Sequence, residues 1–236
     1  MLRITMFVSL ALLIAGDVVA EDEQWPWSGT TSFGYLATTG NTENQSYNGA
    51  ADVSYARDKW THSVNVSFIG ASESNLTTAE AYQAVWKSEY AFNEHDFLFG
   101  LIDWRKDRFS GYDQQLSSTL GYGRRLIDSE AHSLSATAGL GYRTSDLSDG
   151  TSESGAIVRG GLDYTWTFSE TSNFKQALVF EAGSDNTYYE SVSAVRASLL
   201  GDLALVVSYT VRHNTDVPVG NENTDTFSAI SLEYAF

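Results

Sequence analysis

The chain has 236 residues, with 14 Lys and Arg against 30 Asp and Glu, a formal charge of -16, and no cysteine. Such an acidic balance excludes nucleic acid as a partner, because the phosphates would be repelled. Without cysteine there is no disulfide framework, thiol nucleophile or thiolate zinc site. Residues 1–20 read as an export leader: Arg3 gives a basic start, Ile4 to Gly16 an apolar run, and Val18-Val-Ala20 a small-residue cleavage site. No later stretch approaches the roughly 18 uninterrupted apolar residues of a membrane helix. A mature chain in a membrane must therefore cross it with strands.

From Trp27 onward apolar and polar residues alternate with period two over segments of about ten residues, which is the pattern of strands with two unlike faces. Thr30 to Ala37 is the first. Tyr47, Gly49, Ala51, Val53 and Tyr55 then share one face, with Asn48, Ala50, Asp52 and Ser54 on the other. Trp60 to Phe68 and Tyr82 to Phe92 repeat the pattern. Leu116 to Tyr122, Leu134 to Tyr142, Ala156 to Phe168, Leu178 to Ala182, Leu203 to Val211 and Ile230 to Phe236 follow. Phe97 to Trp104 and Val192 to Leu200 are strands of ambiguous phase, since both of their faces carry apolar residues. The count is about twelve, an even number as a single-chain outer-membrane barrel requires.

The connections alternate in length. Short ones are Arg57 to Lys59, Asn93 to Asp96, Asp128 to Glu130, Ser169 to Ser172 and Gly201-Asp202. Longer ones are Thr39 to Gln45, Ser72 to Thr78, Arg108 to Asp113, Ser145 to Ser154, Ser184 to Glu190 and Asn214 to Asn223. Tight periplasmic turns and longer extracellular loops are the two ends of a transmembrane barrel, and both termini then fall on the periplasmic side. A soluble barrel would carry Lys and Glu on its polar face; here that face is mostly Ser, Thr, Gly, Ala and Asn, which suits a crowded interior. Tyr55, Trp60, Phe92, Phe168, Phe174 and Tyr234 near the short turns, and Trp104 and Tyr142 towards the loops, suit the headgroup level. The predicted fold is all-β, a closed antiparallel transmembrane β-barrel over residues 21–236. Closure satisfies every backbone amide, which lipid cannot do. The alternating Ile230, Leu232, Tyr234 and Phe236 resemble the C-terminal insertion signal of outer-membrane proteins. Outer-membrane lipids and the barrel-insertion machinery are thus the expected partners.

Several stretches carry a family resemblance: Trp27-Ser-Gly, Gly34-Tyr-Leu-Ala-Thr-Thr-Gly-Asn-Thr42, Asp107-Arg-Phe-Ser-Gly-Tyr112, Gly121-Tyr-Gly-Arg-Arg125, Asp185-Asn-Thr187 and Ser208-Tyr-Thr-Val-Arg-His-Asn214. The chain resembles the salt-induced outer-membrane protein family of Gram-negative bacteria, whose domain is classed as one of unknown function, type 481. The likeness runs from about Trp25 to Phe236. It implies an outer-membrane barrel and, by the family's name, expression under salt or osmotic stress. It supplies no catalytic or binding residues.

On the interior phase stand Asp52, Lys87, Glu89, Asp103, Arg105, Arg125, Arg143, Arg159, Asp163, Lys175, Glu181, Arg196, Arg212 and Glu233. Charges inside a barrel must be paired or hydrated. They either tune which solutes pass a narrow channel or fill a solid interior as a structural network. Loop acids such as Glu43, Asp149, Asp185, Glu190 and Asp216 match no calcium loop and read as a solvated rim, so no metal or cofactor is expected. For a hydrolase or acyltransferase at the rim, His213-Asn214 is the one suggestive pair, and no Gly-x-Ser-x-Gly elbow accompanies it. Gly121-Tyr-Gly123 and Gly139-Leu-Gly141 lie inside strands, where tight packing explains them better than phosphate binding. The expected function is a narrow passive channel or a structural envelope protein. A rim enzyme or an adhesion barrel using its acidic loops are the alternatives.

Overall fold

The computed structural model describes residues 25–38, 44–74, 76–108 and 110–236. The leader and its cleavage site lie outside them, as does most of the first long connection.

Twelve antiparallel strands close into a ring, each bonded to its neighbours in sequence and the last to the first. They are β1 Trp27–Thr38, β2 Asn44–Arg57, β3 Trp60–Glu73, β4 Leu76–Ala91, β5 Asp96–Asp107 and β6 Tyr112–Asp128. Then come β7 His132–Leu147, β8 Ser152–Ser169, β9 Ser172–Ala182, β10 Thr187–Leu200, β11 Leu203–Asn214 and β12 Thr224–Ala235. Among the described residues no helix is long and apolar enough to cross a membrane.

The period-two pattern sets which face looks where. Leu120, Leu140, Val158, Leu162, Val207 and Ile230 are exposed on the outer wall, Leu120 at 75%. The opposite phase is the buried one, with Asp103 at 1% and Glu181 at 0%. A soluble protein does not expose such a continuous apolar belt, whereas a membrane barrel needs it. Rings cluster at the short-turn rim: Trp27 lies 4.8 Å from Tyr55, Trp60 4.9 Å from Tyr90, and Trp166 5.4 Å from Phe168. The other rim has Tyr47 with Phe68 and Phe180 with Tyr189.

β5 resolves the first ambiguous segment. Phe97, Phe99 and Leu101 turn inward and are buried, while Leu98 and Ile102 face outward. Both faces are apolar because β6 makes room inside. A Cβ on Gly123 would sit 2.2 Å from the Phe97 ring, and one on Gly121 would sit 2.6 Å from the Phe99 ring. The glycines are therefore packing positions, as the strand context implied. In β10, Val195 and Leu199 face outward and Arg196 inward.

The long connections are shorter than the sequence suggests. β3 reaches Glu73 and β4 begins at Leu76; β7 and β8 are paired up to Asp146↔Ser152; β9 and β10 are paired from Ala182↔Thr187. These strand ends lie beyond the continuous apolar belt and carry many polar residues, so they imitate loops in sequence. Glu190, read above as a loop acid, lies in β10. Turn 148–151 is fastened by Asp149, which accepts from the Thr151 hydroxyl at 2.6 Å and its amide at 2.8 Å; those bonds hold the carboxyl below the usual range. The segment 215–223 remains long, and it folds inward. Tyr112 donates to the Asp216 carbonyl at 2.8 Å, and Pro218 and Asn221 pack on Gly111. It thereby crosses the mouth from the β11/β12 side to the β5/β6 side, six strands away in the ring.

Candidate functional site: the charged interior

The inward charges gather into three groups. The largest lies between β5, β7, β8 and β9. Arg105 Nη2 is 3.1 Å from Glu181 Oε1, and Arg105 also pairs with Asp103. Arg159 pairs with Glu181 and lies 3.4 Å from Asp103. Arg143 is 3.6 Å from Glu181 and donates to the Asn186 carbonyl at 2.6 Å. Neutral groups complete it: Ser117 donates to Glu181 at 3.2 Å, Gln83 to Asp103 at 3.1 Å, and the Arg105 guanidinium stacks 4.0 Å from the Tyr188 ring. Every charged member is at most 9% exposed. At that burial an unpaired charge is costly, so the pairs stabilise the closed interior.

Arg212 on β11 extends this layer across the lumen. It bonds Glu190 on β10 at 2.7 Å, reaches Gln83 on β4 at 3.3 Å, and lies 3.9 Å from Asp107 on β5. Strands β5 and β11 stand opposite each other in the ring. Side chains thus bridge the barrel from wall to wall. Between this layer and the crossing loop, a cavity of about 20 Å³ holds room for about one water.

The second group is nearer the short-turn rim. Lys87 and Glu89 pair at 2.6 Å, Arg125 lies 3.9 Å from Glu89, and the Lys87 and Arg125 cations lie 5.6 Å and 5.2 Å from the Phe97 ring. The third is Arg196 with Glu233 at 2.7 Å. Asp52 accepts from Asn65 at 3.2 Å and is exposed although it shares the inward phase, as are Asp163 and Lys175. Thr30, Ser32, Ala50, Ser63 and Ser67 on that phase are only part-buried. Inward residues such as Ala177, Val192, Ser208 and Thr210 on β9 to β11 are part-buried to the same degree, so the sealed part of the interior is the charged layer of Asp103, Arg105, Arg143, Arg159 and Glu181.

His213 and Asn214 point to opposite faces. The His213 ring shares a hydrogen bond with Thr224 Oγ1 at 2.8 Å on the outer wall, and Asn214 is buried, accepting from Asn186 at 2.7 Å. They form no joint site. The strand phase shows which charges turn inward, but not Gln83, Ser117, Tyr188 and Asn186 as their partners; a lone neutral residue on the inward phase carries no mark of such a role. Among the described residues no group of three or more His, Asp or Glu is placed to hold a metal.

With this geometry in hand, comparisons locate the chain among known proteins. The family described as "Protein of unknown function, DUF481" matches residues 31–236. A curated relative, the uncharacterized protein YdiY of Escherichia coli (strain K12), is 29% identical over 212 residues, covering 89% of this chain and 83% of the relative. Similar solved structures include an outer-membrane channel from Pseudomonas putida F1 at a TM-score of 0.55 and 11% identity, covering 93% of this chain and all of that one. The NanC porin matches at 0.50 and 10% identity, over 88% and 97%. The translocator domain of the autotransporter NalP from Neisseria meningitidis matches at 0.50 and 12% identity, over 92% and 90%. At these identities the likeness establishes the fold, which is that of outer-membrane barrels.

Proposed function

We propose that this chain, which belongs to the DUF481 family of proteins of unknown function, is a narrow passive channel of the Gram-negative outer membrane. The observation that carries this is the cross-lumen layer. Arg212 reaches Gln83 and Asp107 on the opposite wall, while the small inward residues of β1 to β3 stay accessible to water. A structural filler would have its interior closed all round. Here paired charges narrow the passage and leave part-buried inward residues beside them, on β1 to β3 and on β9 to β11. The porin and channel among the structural neighbours support the reading. A rim enzyme is disfavoured by His213, which faces the outer wall beside a threonine. Acidic-loop adhesion is disfavoured because Glu190 and Asp146 are strand residues already bonded to Arg212 and Gln114.

The proposal includes export by the leader 1–20 and insertion through Ile230, Leu232, Tyr234 and Phe236, all exposed on the outer wall. Outer-membrane lipids are its solvent, and the barrel-insertion machinery its transient partner. A role under salt or osmotic stress rests on the family resemblance alone. Planar-bilayer recording tests the central point. The native protein should give small, ohmic single-channel steps. Changing Arg143, Arg159 and Arg212 together to Gln should raise the conductance and shift selectivity towards cations. Inserted, folded protein that passes no ions would overturn the reading.

A further inference from the structure

The boundary between β1 and β12 is unlike the others. Its paired register covers only Thr30 to Phe33 against Leu232 to Ala235, with Gly29 and Phe236 adding reciprocal backbone bonds of 2.8 and 2.9 Å. Above that level β1 continues beside β2 as far as Thr38↔Asn44, and β12 beside β11 as far as His213↔Thr224. They are not paired with each other there. The strands touch at Gly34, whose added Cβ would lie 2.1 Å from the Ile230 carbonyl oxygen. Asn48 on β2 bonds Ser231 across that glycine at 2.7 Å, pinning the bottom of the gap. Lipid offers backbone edges no hydrogen bonds, so an unpaired stretch in the wall needs a physical reason.

Polar and apolar side chains meet around the gap. On the outward phase of β12 stand the hydroxyls of Thr224, Thr226 and Ser228. On the lumen phase stand Leu36, Asp225, Phe227 and Ala229; Leu36 is 66% exposed, and the Phe227 ring lies 5.5 Å from the Arg212 guanidinium. Meanwhile segment 215–223 crosses the mouth and the ionic layer seals the opposite side of the interior.

We propose that the gap above Gly34 is a lateral portal, through which the acyl chain of an amphiphile passes between the lipid phase and the lumen. The hydroxyl edge of β12 hydrates the polar end of that molecule, and Leu36, Phe227 and Ala229 receive its chain. This does not depend on ion conduction, so failure in the bilayer recording leaves it standing.

The native chain has no cysteine, so single labels report unambiguously. Bimane is attached to Ala229→Cys and, separately, to Leu36→Cys, with Ile230→Cys as the outward reference and Ala50→Cys as the lumen reference. Each protein is folded into vesicles of phosphatidylcholine with brominated acyl chains, which quench only a label they touch. Labels at 229 and 36 should lose fluorescence to at least about half the extent seen at 230, because the chains reach the lumen side of an open wall. The label at 50, behind a fully paired wall, should be spared. Should one of the two labelled proteins fail to fold, the other decides. Quenching at 229 and 36 no greater than at 50 overturns the portal.

Discussion

Glu181→Gln isolates the energetics of the interior. Glu181 is fully buried and meets Arg105 at 3.1 Å, Arg143 at 3.6 Å, Arg159, and the Ser117 hydroxyl at 3.2 Å. The substitution keeps the shape and leaves three guanidinium groups with Asp103 as their remaining carboxylate in the cluster. Removing one partner of a buried ion pair costs about 3–5 kcal/mol, and the carboxamide retains some hydrogen bonding, so about 3 kcal/mol is expected. The unfolding equilibrium would then shift by over a hundredfold, at about 1.4 kcal/mol per tenfold step. Urea unfolding in phosphatidylcholine vesicles, followed by tryptophan emission, measures this through the six tryptophans. A double variant with Arg159→Met should lose less than the sum of the two single changes, because it removes a cation together with its anion. A single-variant loss below about 1 kcal/mol, or strict additivity, would refute the view that Glu181 neutralises a coupled cluster.

Gly123→Val should cost about 1–3 kcal/mol in the same assay, since its Cβ would already meet the Phe97 ring at 2.2 Å and the ring is held by Leu101 and Phe99 in one buried cluster. Gly150→Ala is its counterpart: nothing lies within 4 Å of the added methyl, so any loss comes from its φ of 86° alone and should be smaller. Deleting Phe236 removes an outward ring and the carbonyl and amide that bond Gly29. Heat-modifiable gel mobility in cells should then show a smaller folded fraction than in the native protein, and an unchanged fraction would separate Phe236 from insertion.

β8 shows how much the sequence discloses. Val158, Leu162 and Trp166 alternate with Arg159, Asp163 and Thr165, and the strand carries that phase unbroken as far as Thr167. β5 was opaque, because the space that accepts Phe97 and Phe99 is supplied by glycines on β6, which pair with it only once the register Phe97↔Gly123 and Phe99↔Gly121 is set. Strand ends such as Ser145 to Leu147 read as loop in sequence because outside the lipid belt neither face needs to be apolar. Inward orientation of the charges follows from phase, yet their pairing does not. Arg212 meets Asp107 only because the barrel's width brings opposite walls within side-chain reach, and no local pattern encodes that. The short ladder at the seam is equally silent in sequence, since Gly34 reads as one more small residue.

The account turns on which face of the strands meets lipid, and a spin-label scan along β8 from Ala156 to Trp166 in vesicles measures that face directly. Collision with oxygen should peak at 156, 158, 160, 162, 164 and 166, the outward phase, and collision with a water-soluble nickel chelate should peak at 163 and 165. A reversed phase, or no two-residue period at all, would contradict it.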